Sequence, residues 1–304
     1  NLKVNLNSDQ PEITPEVNNF RGFLEGHSVV NDEKGDLLFY TDGNIIWNNK
    51  HQLVNGSISF FGDSNGGAQK SVVVKSKDIG KYYVFALQGL VRGNGELYFR
   101  EIIVNNQTTE VFSPTNSLTK ISDNFASGMT IVPHPCFGNW VILHERNNNN
   151  YISYHFYEGK IIKKVTSSIG RTIDQNRVSF AFSNQLSILS VSHFQKNLTE
   201  FFKFDKFTGS IVSDAIEFSE SFYLGSFSPN GKLFYYFGSC GRTMDSLCIK
   251  QFDFTEFDIN KISESFYGEN LPASLLSRTQ TAATSSIQIG AKNKMYFSSA
   301  GIEN

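Results

Sequence analysis

Three histidines and a glutamate are the residues of this chain whose types best suit catalysis or metal binding: His134, His144, Glu145 and His155. Successive side chains of a β-strand point to opposite faces, so on a strand His144 and Glu145 cannot act as a dyad or share a metal ion. The separation of His134 from His144 would permit a cross-strand pair, but no spacing typical of a zinc site accompanies it. We therefore expect structural, hydrogen-bonded histidines and predict no metal site.

Carboxylates offer a second route to catalysis. Asp32, Asp36, Asp42 and Asp63 cluster in one part of the sequence, and glycoside hydrolysis would need two such acids about 5 or 9 Å apart. Most of them stand beside glycine in turn-forming phrases, where aspartate is favoured because it caps its own backbone. The sequence contains no nucleophile elbow, no phosphate-cradling glycine loop and no calcium-loop spacing. Turn formation explains these acids, and we predict no catalytic residue and no cofactor.

A recurring phrase indicates which elements carry these residues: a polar turn with glycine or asparagine, followed by a run of aromatic and β-branched residues. A period of roughly 40 to 50 residues that holds about four short strands is typical of a propeller blade, because one four-stranded sheet cannot cover its own apolar faces. The sequence therefore predicts an all-β fold, a β-propeller of four-stranded antiparallel blades. The blade anchors are Gly35, Gly80, Gly138, Asn184, Gly231 and Asn293.

The repeat runs nearly from end to end of the 304 residues, and no Pro-rich, Ser-rich or charged linker divides it. We predict a single propeller domain over residues 1–304, with six to seven blades and an incomplete C-terminal end. Short helices are expected only at 260–265 and 271–278. The chain starts in a polar stretch without a signal peptide, so we expect a processed or trimmed segment.

Composition limits the possible partners. Lys and Arg number 27 against 29 Asp and Glu, with no basic block, so the electrostatic footprint of a nucleic-acid binder is missing. The densest basic cluster, Lys160 with Lys163 and Lys164, fits a solvated sheet face. Hydrophobic residues make up 39% of the chain, but no apolar stretch is long enough to span a bilayer.

The three cysteines bear on the compartment. Cys240 and Cys248 flank a loop between two runs that read as a hairpin. We predict that they form a disulfide, which would stabilise the fold by about 2 to 3 kcal/mol and would favour an oxidising compartment. Cys136 is left over and is expected to be a buried thiol rather than a nucleophile.

With catalytic, metal and nucleic-acid sites not predicted, the function that the sequence favours is binding through a surface of the propeller. Propellers present loops from every blade, and exposed aromatic residues there would suit stacking on sugars or docking of a protein partner. Trp47 and Trp140 are the predicted anchors, although both also follow the strand pattern of a core residue. His134 and His144 complete the predicted binding set.

Several segments also resemble a known family. They are the stretches 25–43 and 46–48, then 69–74 and 82–85, then His134, 139–142 and 144–145, and finally 227–233 and 287–296, where 291–293 departs from the usual turn. Together they resemble the N-terminal β-propeller region, WD40-like or YVTN-like with about seven blades, of secreted Bacteroidetes proteins that carry a type IX secretion sorting domain. The resemblance covers most of the chain.

The resemblance implies an extracellular or cell-surface location after export across the outer membrane. It further implies a non-catalytic recognition or scaffold module that binds an envelope or extracellular protein, or another outer-membrane component, in adhesion, gliding or secretion. A ring of about seven blades would place part of a blade beyond Asn304, or would use residues 1–20 to close the ring. The alternative is an extracellular polysaccharide-binding lectin or carbohydrate-active enzyme with acidic residues at the propeller channel.

Overall fold

A computed structural model of the chain describes residues 2–5, 12–15, 26–54, 69–90, 95–105, 108, 110–114, 117–173, 177–220, 222, 224–239, 247–270, 285–289 and 294–299. Within these ranges nearly all regular structure is β-strand, arranged in small antiparallel sheets that follow one another along the chain. The predicted fold class, an all-β propeller, is confirmed.

The strands of each sheet are consecutive in sequence. A first hairpin pairs β1 (Leu2–Asn5) with β2 (Glu12–Pro15). The first blade contains β3 (Ser28–Asn31), β4 (Leu37–Thr41) and β5 (Ile46–Asn48). The second blade contains β6 (Ser71–Lys75), β7 (Lys81–Gln88), β8 (Glu96–Val104), the short β9 (Val111–Phe112) and β10 (Thr119–Ser122). The third blade contains β11 (Phe125–Pro133), β12 (Asn139–Glu145), β13 (Asn148–Tyr157) and β14 (Lys160–Ile173).

The later blades follow the same plan. The fourth contains β15 (Val178–Ser183), β16 (Ile188–His193), β17 (Leu198–Asp205), β18 (Ser210–Ile211) and β19 (Ile216–Phe218), with a 3₁₀ turn at Phe194–Lys196. The fifth contains β20 (Ser226–Phe227), β21 (Leu233–Ser239), β22 (Leu247–Asp253) and β23 (Tyr267–Asn270), with helix α1 (Ile259–Glu264) between its last two strands. A final hairpin pairs β24 (Ser285–Ile289) with β25 (Met295–Ser299).

The predicted anchors among the described residues lie at one repeated position, the turn between the first and second strands of a blade. The four glycine anchors among the described residues have φ between 71° and 89°, a conformation that glycine adopts without steric cost. Asn184 lies in the corresponding turn of the fourth blade, whereas Asn293 lies outside the described residues. The described residues form five blades rather than six or seven, because the sixth phrase supplies only the two strands β24 and β25.

By their internal contacts the residues form two compact units. The first comprises Asn1–Val178 and Lys206–Ser210, and the second comprises Ser179–Asp205 and Ile211–Asn304. A single domain over residues 1–304 stays a prediction.

The core of the first unit explains why its blades need one another. Strand β7 is buried along almost its whole length. On one face Phe85 lies edge to face against Phe156 of the third blade, with ring centroids 4.8 Å apart. On the other face Tyr82 meets Phe39 of the first blade at 5.4 Å. The second blade is therefore covered on both faces by its neighbours, which accounts for an apolar run that does not alternate.

The second unit has its own aromatic core. Phe201 of the fourth blade meets Phe234 of the fifth edge to face, with centroids 5.1 Å apart, and Phe222 lies 3.9 Å from the ring of Tyr236. His193 and Glu200 form a hydrogen-bonded pair of 2.7 Å between β16 and β17, and both side chains are buried.

The structure also bears on the short helices and the lysine cluster predicted from the sequence. Helix α1 confirms the helix expected at 260–265 to within one residue, and Asp258 caps it by accepting from the N–H groups of Asn260 and Lys261; the helix expected at 271–278 lies outside the described residues. The lysines of β14 are exposed, as expected. Among the described residues, no helix combines the length and apolar character needed to traverse a bilayer.

The cysteines differ in their surroundings. Cys136 is a free thiol and is exposed, not buried as the sequence suggested, because it lies in the turn between β11 and β12. Cys248 is buried on β22, opposite Gly238. Its predicted partner Cys240 lies outside the described residues, so the disulfide stays a prediction.

Candidate binding site

Six rings gather at one end of the third blade, where the turns β11–β12 and β13–β14 lie side by side. Five come from these turns and the adjoining strands. The sixth comes from the loop Lys206–Ser210, which connects β17 to β18 and belongs to the first unit. We call this cluster the aromatic patch; it consists of His134, Phe137, Trp140, His155, Tyr157 and Phe207.

Strand register builds the buried floor of the patch. Trp140 pairs with His155 across β12 and β13, and His155 pairs with Lys163 across β13 and β14, so these three side chains share one face of the sheet. The rings of Trp140 and His155 lie 4.8 Å apart. His134 stacks on His155 with centroids 4.4 Å apart and planes 19° apart. Trp140 is 1% exposed and His155 is 5% exposed, so the floor is a fixed part of the core.

Two histidines hold the β11–β12 turn in shape. The Nδ1 atom of His134 accepts hydrogen bonds from the backbone N–H groups of Cys136 (3.1 Å) and Phe137 (3.4 Å). The Nε2 atom of His155 lies 2.8 Å from the carbonyl oxygen of Phe137 and donates to it. The turn that carries Phe137 is therefore held by ring nitrogens, and His134 must be neutral at Nδ1 to take part.

The loop Lys206–Ser210 is held against the same floor. The indole Nε1 of Trp140 donates to the carbonyl oxygen of Lys206 at 2.7 Å, and Nζ of Lys163 donates to the carbonyl oxygen of Thr208 at 3.3 Å. At Gly209 the backbone passes so close that an added Cβ would lie 2.5 Å from the Trp140 ring. This loop places the ring of Phe207 at 6.3 Å from that of His134.

The surroundings of His134 favour its neutral form. Partial burial lowers the pKa of His134, and the positive charges that His155 and Lys163 can carry lower it further. A hydrogen bond with the backbone of Phe207 raises this pKa but does not outweigh the other effects. The hydrogen-bonding state described above is thus the favoured one at neutral pH.

A network at the edge of the patch involves the second blade. Nζ of Lys77 lies 5.6 Å from the centre of the Tyr157 ring, and a hydrogen bond with the Tyr157 hydroxyl raises the pKa of Lys77. Glu158 accepts from the Ser76 hydroxyl at 2.5 Å and from the backbone N–H of Lys77 at 2.9 Å. Burial raises the pKa of Glu158, but these hydrogen bonds outweigh it and the net shift is downward. The carboxylate is therefore occupied by the β6–β7 turn of the second blade.

Two rings of the patch face solvent. Phe137 is 47% exposed and Phe207 is 66% exposed, although phenylalanine is a residue that proteins usually bury. Both contact His134, at centroid distances of 5.6 and 6.3 Å. The arrangement can bind apolar or aromatic groups on a pre-ordered surface.

The residues predicted from sequence for binding fall in different places. His134 and Trp140 belong to the patch. Trp47 is half-buried in the first blade and stacks on Tyr40, with centroids 5.4 Å apart. His144 is fully buried, contacts the Tyr151 ring at 4.5 Å and hydrogen-bonds through Nδ1 to the carbonyl oxygen of Glu145. The structure does not bring Trp47 or His144 to the patch.

Sequence reasoning missed Phe137, Tyr157 and Phe207 as binding residues. A signal existed for two of them, because Phe137 lies beside Gly138 and Phe207 lies two residues before Gly209. A phenylalanine in a glycine-containing turn has no strand pattern to explain it and is a candidate for a surface contact.

Two of the four aspartates, Asp32 and Asp42, cap turns as predicted. The Oδ1 atom of Asp32 accepts from the N–H groups of Lys34 and Asp36, each at 2.8 Å. Oδ1 of Asp42 accepts from the N–H groups of Asn44 and Ile45 in the same way, whereas Asp63 lies outside the described residues. In the part of the chain that the structure describes, no group of three or more His, Cys, Asp and Glu side chains is arranged to hold a metal ion.

A small cavity of about 10 Å³ lies between the first and second blades. The residues that border it include Thr41, Gly43, Asn44, Tyr98 and Arg100. A volume of this order holds about one water molecule. It does not compete with the aromatic patch as a ligand site.

Comparison with known proteins gives fold-level likeness only. No family model and no curated protein matches the chain. A functionally unknown protein from Desulfotomaculum acetoxidans DSM 771 is 10% identical, with a TM-score of 0.49 over 84% of this chain and 75% of that one. A candidate 6-phosphogluconolactonase from Bacteroides uniformis ATCC 8492 is 14% identical, with a TM-score of 0.49 over 90% and 76%. Hsv2 from Kluyveromyces lactis is 9% identical, with a TM-score of 0.41 over 91% and 82%.

Likeness at this level carries no argument about activity. The sheets themselves define the chain as a β-propeller protein. Membership of the WD40-like or YVTN-like propellers of type IX-secreted Bacteroidetes proteins stays a prediction.

Proposed function

We propose that this β-propeller is a non-catalytic recognition module that binds a protein partner through the aromatic patch. The observation that carries the proposal is the pair of exposed rings, Phe137 and Phe207, held beside a stack of the half-buried His134 on the buried His155 and Trp140.

Three physical points support a binding role. Aromatic residues are enriched in protein interfaces, and exposing such rings to water without a partner has no benefit for folding. The loops that carry Phe137 and Phe207 are already held by hydrogen bonds from His155 and Trp140, so little conformational entropy is lost on binding. The surface combines large apolar contact with low ordering cost, which is the combination found at interface hot spots.

The location belongs to the proposal as well. We place the protein outside the cell or on its surface, exported across the outer membrane, with a partner in the envelope or the extracellular space and a role in adhesion, gliding or secretion. The sequence resemblance to propellers of type IX-secreted proteins supports this placement. Labelling intact cells with a membrane-impermeant reagent and recovering the labelled protein would test it; a protein reached only after lysis would contradict it.

The binding role is tested by comparing patch variants. Immobilised wild-type protein and the Phe137→Ala/Phe207→Ala variant are incubated with envelope and secreted proteins of the source cells, and captured proteins are cross-linked and identified. We expect the double variant to lose at least about ten-fold of the specific capture, since central aromatic residues each contribute about 2 kcal/mol or more at hot spots.

The matched control is Phe112→Ala, which removes an exposed phenylalanine of β9 outside the patch. It is expected to capture as the wild type does. A panel of polysaccharides run in parallel tests the alternative, a lectin or carbohydrate-active enzyme. Equal protein capture by the wild type and the double variant would refute the proposal, and binding or turnover of a glycan would favour the alternative.

A further inference from the structure

Charge around the aromatic patch differs from charge over the whole chain. The complete sequence has a net charge of −2. The four segments that form or border the patch are residues 76–81, 133–140, 155–163 and 206–210; they carry five lysines and two carboxylates. The lysines are Lys77, Lys81, Lys160, Lys163 and Lys206, and the carboxylates are Asp78 and Glu158.

Both carboxylates are engaged within the protein. Glu158 accepts from Ser76 and from the backbone of Lys77. Asp78 lies 3.9 Å from Nζ of Lys81, and Glu101 lies 3.3 Å from the same atom, so the charge of Lys81 is paired within the protein. Lys160 and Lys163 are exposed, and register places Lys160 opposite Tyr157 and Lys163 opposite His155. The apolar rings therefore have a positive rim.

Three polar ring atoms of the patch are already used. The indole N–H of Trp140, Nε2 of His155 and Nδ1 of His134 all bond to loop backbone. Nζ of Lys77 lies over the Tyr157 ring, 5.6 Å from its centre. A sugar would need several directional hydrogen bonds to its hydroxyls, and these three ring atoms cannot supply them without breaking the loops. What the patch presents to a ligand is phenyl rings and ammonium groups.

On this basis, and resting on the proposed function, we infer that the partner presents an acidic peptide segment with at least one large apolar side chain. The apolar side chain packs against Phe137 and Phe207, and the neighbouring Asp or Glu side chains lie against Lys160 and Lys163. Exposed charges of this kind steer association and choose the partner, whereas the buried apolar contact supplies most of the affinity.

The test selects ligands without assuming their sequence. A library of random twelve-residue displayed peptides is selected on the wild-type protein, after removal of peptides that bind the Phe137→Ala/Phe207→Ala variant. We expect the recovered peptides to be enriched in Asp and Glu together with Phe, Trp or Leu. Enrichment in Lys and Arg, absence of any charge bias, or recovery of no peptide specific for the wild type would overturn the inference.

The consensus peptide is then synthesised and its binding measured at low and high salt. The Lys160→Gln variant, which leaves the bond from Lys163 to Thr208 intact, should bind it about two- to five-fold more weakly at low salt, since an exposed charge pair contributes about 0.2 to 1 kcal/mol. The difference should shrink at high salt. Lys232→Gln, an exposed lysine of the second unit, is the matched control and should bind as the wild type does.

The two proposals fail differently. If the lysine variant binds the consensus peptide as the wild type does, the acidic partner is refuted, while loss of partner capture by the phenylalanine variant still supports the binding patch. Acidic oligosaccharides and anionic lipid vesicles are assayed on the same variants. Patch-dependent binding of either one, in place of the peptide, would overturn the peptide assignment.

Discussion

His134 and His155 are of a residue type common in catalytic and metal sites, but in this fold they hold the β11–β12 turn in place. Each uses a ring nitrogen to bond backbone in the β11–β12 turn, and each ring stacks in the floor of the patch. Their residue type is compatible with acid–base or metal chemistry, but their spacing predicted structural, hydrogen-bonded histidines, and the geometry gives them a positioning task. The state of one ring nitrogen, Nδ1 of His134, sets the shape of the turn that presents Phe137.

This dependence predicts a pH effect on stability. The pKa of His134 is lowered in the folded protein by burial and by His155 and Lys163, whereas the unfolded chain takes up this proton near pH 6.5. The neutral ring therefore contributes stability that is complete above about pH 6.5 and is lost as pH falls through the folded pKa. We expect the melting temperature of the wild type to fall more between pH 7 and pH 5 than that of His134→Gln. Equal falls in the two proteins would contradict this assignment.

A second residue-scale prediction concerns Gly209. Its φ is +79°, and a Cβ there would lie 2.5 Å from the Trp140 ring. Gly209→Ala should displace Trp140 or the loop, weaken partner binding and change Trp140 fluorescence in a Trp47→Phe background. Gly43→Ala is the control, because Gly43 also has positive φ (+86°) but its Cβ would approach no atom more closely than the Ser71 side chain, at 3.3 Å. In urea unfolding we expect Gly209→Ala to lose about 1 to 3 kcal/mol more than the control; equal losses would show that the ring contact is unimportant.

Among the elements, the turn between the first and second strands of each blade is the one that sequence identifies best. Its glycine or asparagine stands before a run of aromatic and β-branched residues, and both signals are local. Hairpin β21–β22 is another such element, since its two apolar runs pair as predicted. The disulfide predicted between Cys240 and Cys248 concerns the same hairpin.

The predicted disulfide can be tested by counting the thiols that react before and after reduction. If Cys240 and Cys248 are bonded, the protein denatured without reductant should react with alkylating reagent at one thiol, Cys136, and after reduction at three. Reduction should also lower the free energy of unfolding by about 2 to 3 kcal/mol in the chain-entropy model. Peptide mass spectrometry identifies the alkylated residues. Three reactive thiols in protein purified without reductant from an oxidising compartment would refute the bond.

The blade pattern could be predicted because each hairpin is encoded in neighbouring residues. The aromatic patch could not, because Phe207 and His134 meet only when a loop from the fourth blade packs on the third. Nothing in the sequence around residue 207 specifies that contact, which depends on how the loop Lys206–Ser210 lies against the third blade. Trp140 and His134 were named from their residue types, whereas the grouping of His134, Trp140 and His155 depended on a strand register that composition does not reveal.

For the whole molecule, stability depends on every sheet having a neighbour to cover it. The second blade is covered on both faces, and in the second unit Ile287 of β24 packs with Phe237 of β21. The hairpin β24–β25 thus covers part of the fifth blade. In repeat architectures of this kind, stability is roughly a sum of such neighbour contacts.

Ile287→Ala tests this dependence. Ile287 is 5% exposed, so we expect the variant to lose about 2 to 4 kcal/mol of unfolding free energy. Ile79→Ala is the control, because Ile79 is 84% exposed and its truncation should change stability by about 0.5 kcal/mol or less. Chemical denaturation of both variants measures the difference. A cost for Ile287→Ala as small as that of the control would mean that the hairpin does not stabilise the blade.

The loop Lys206–Ser210 comes from the fourth blade but completes a surface founded on the third. An exchange that moved one blade alone into another propeller would therefore transfer only part of the surface. A crossover can transmit the recognition property only if it carries residues 133 through 210 together. The surface is therefore inherited only when two adjacent repeats are inherited together. Insertions in the β17–β18 connection should be selected against, although surface turns usually tolerate them.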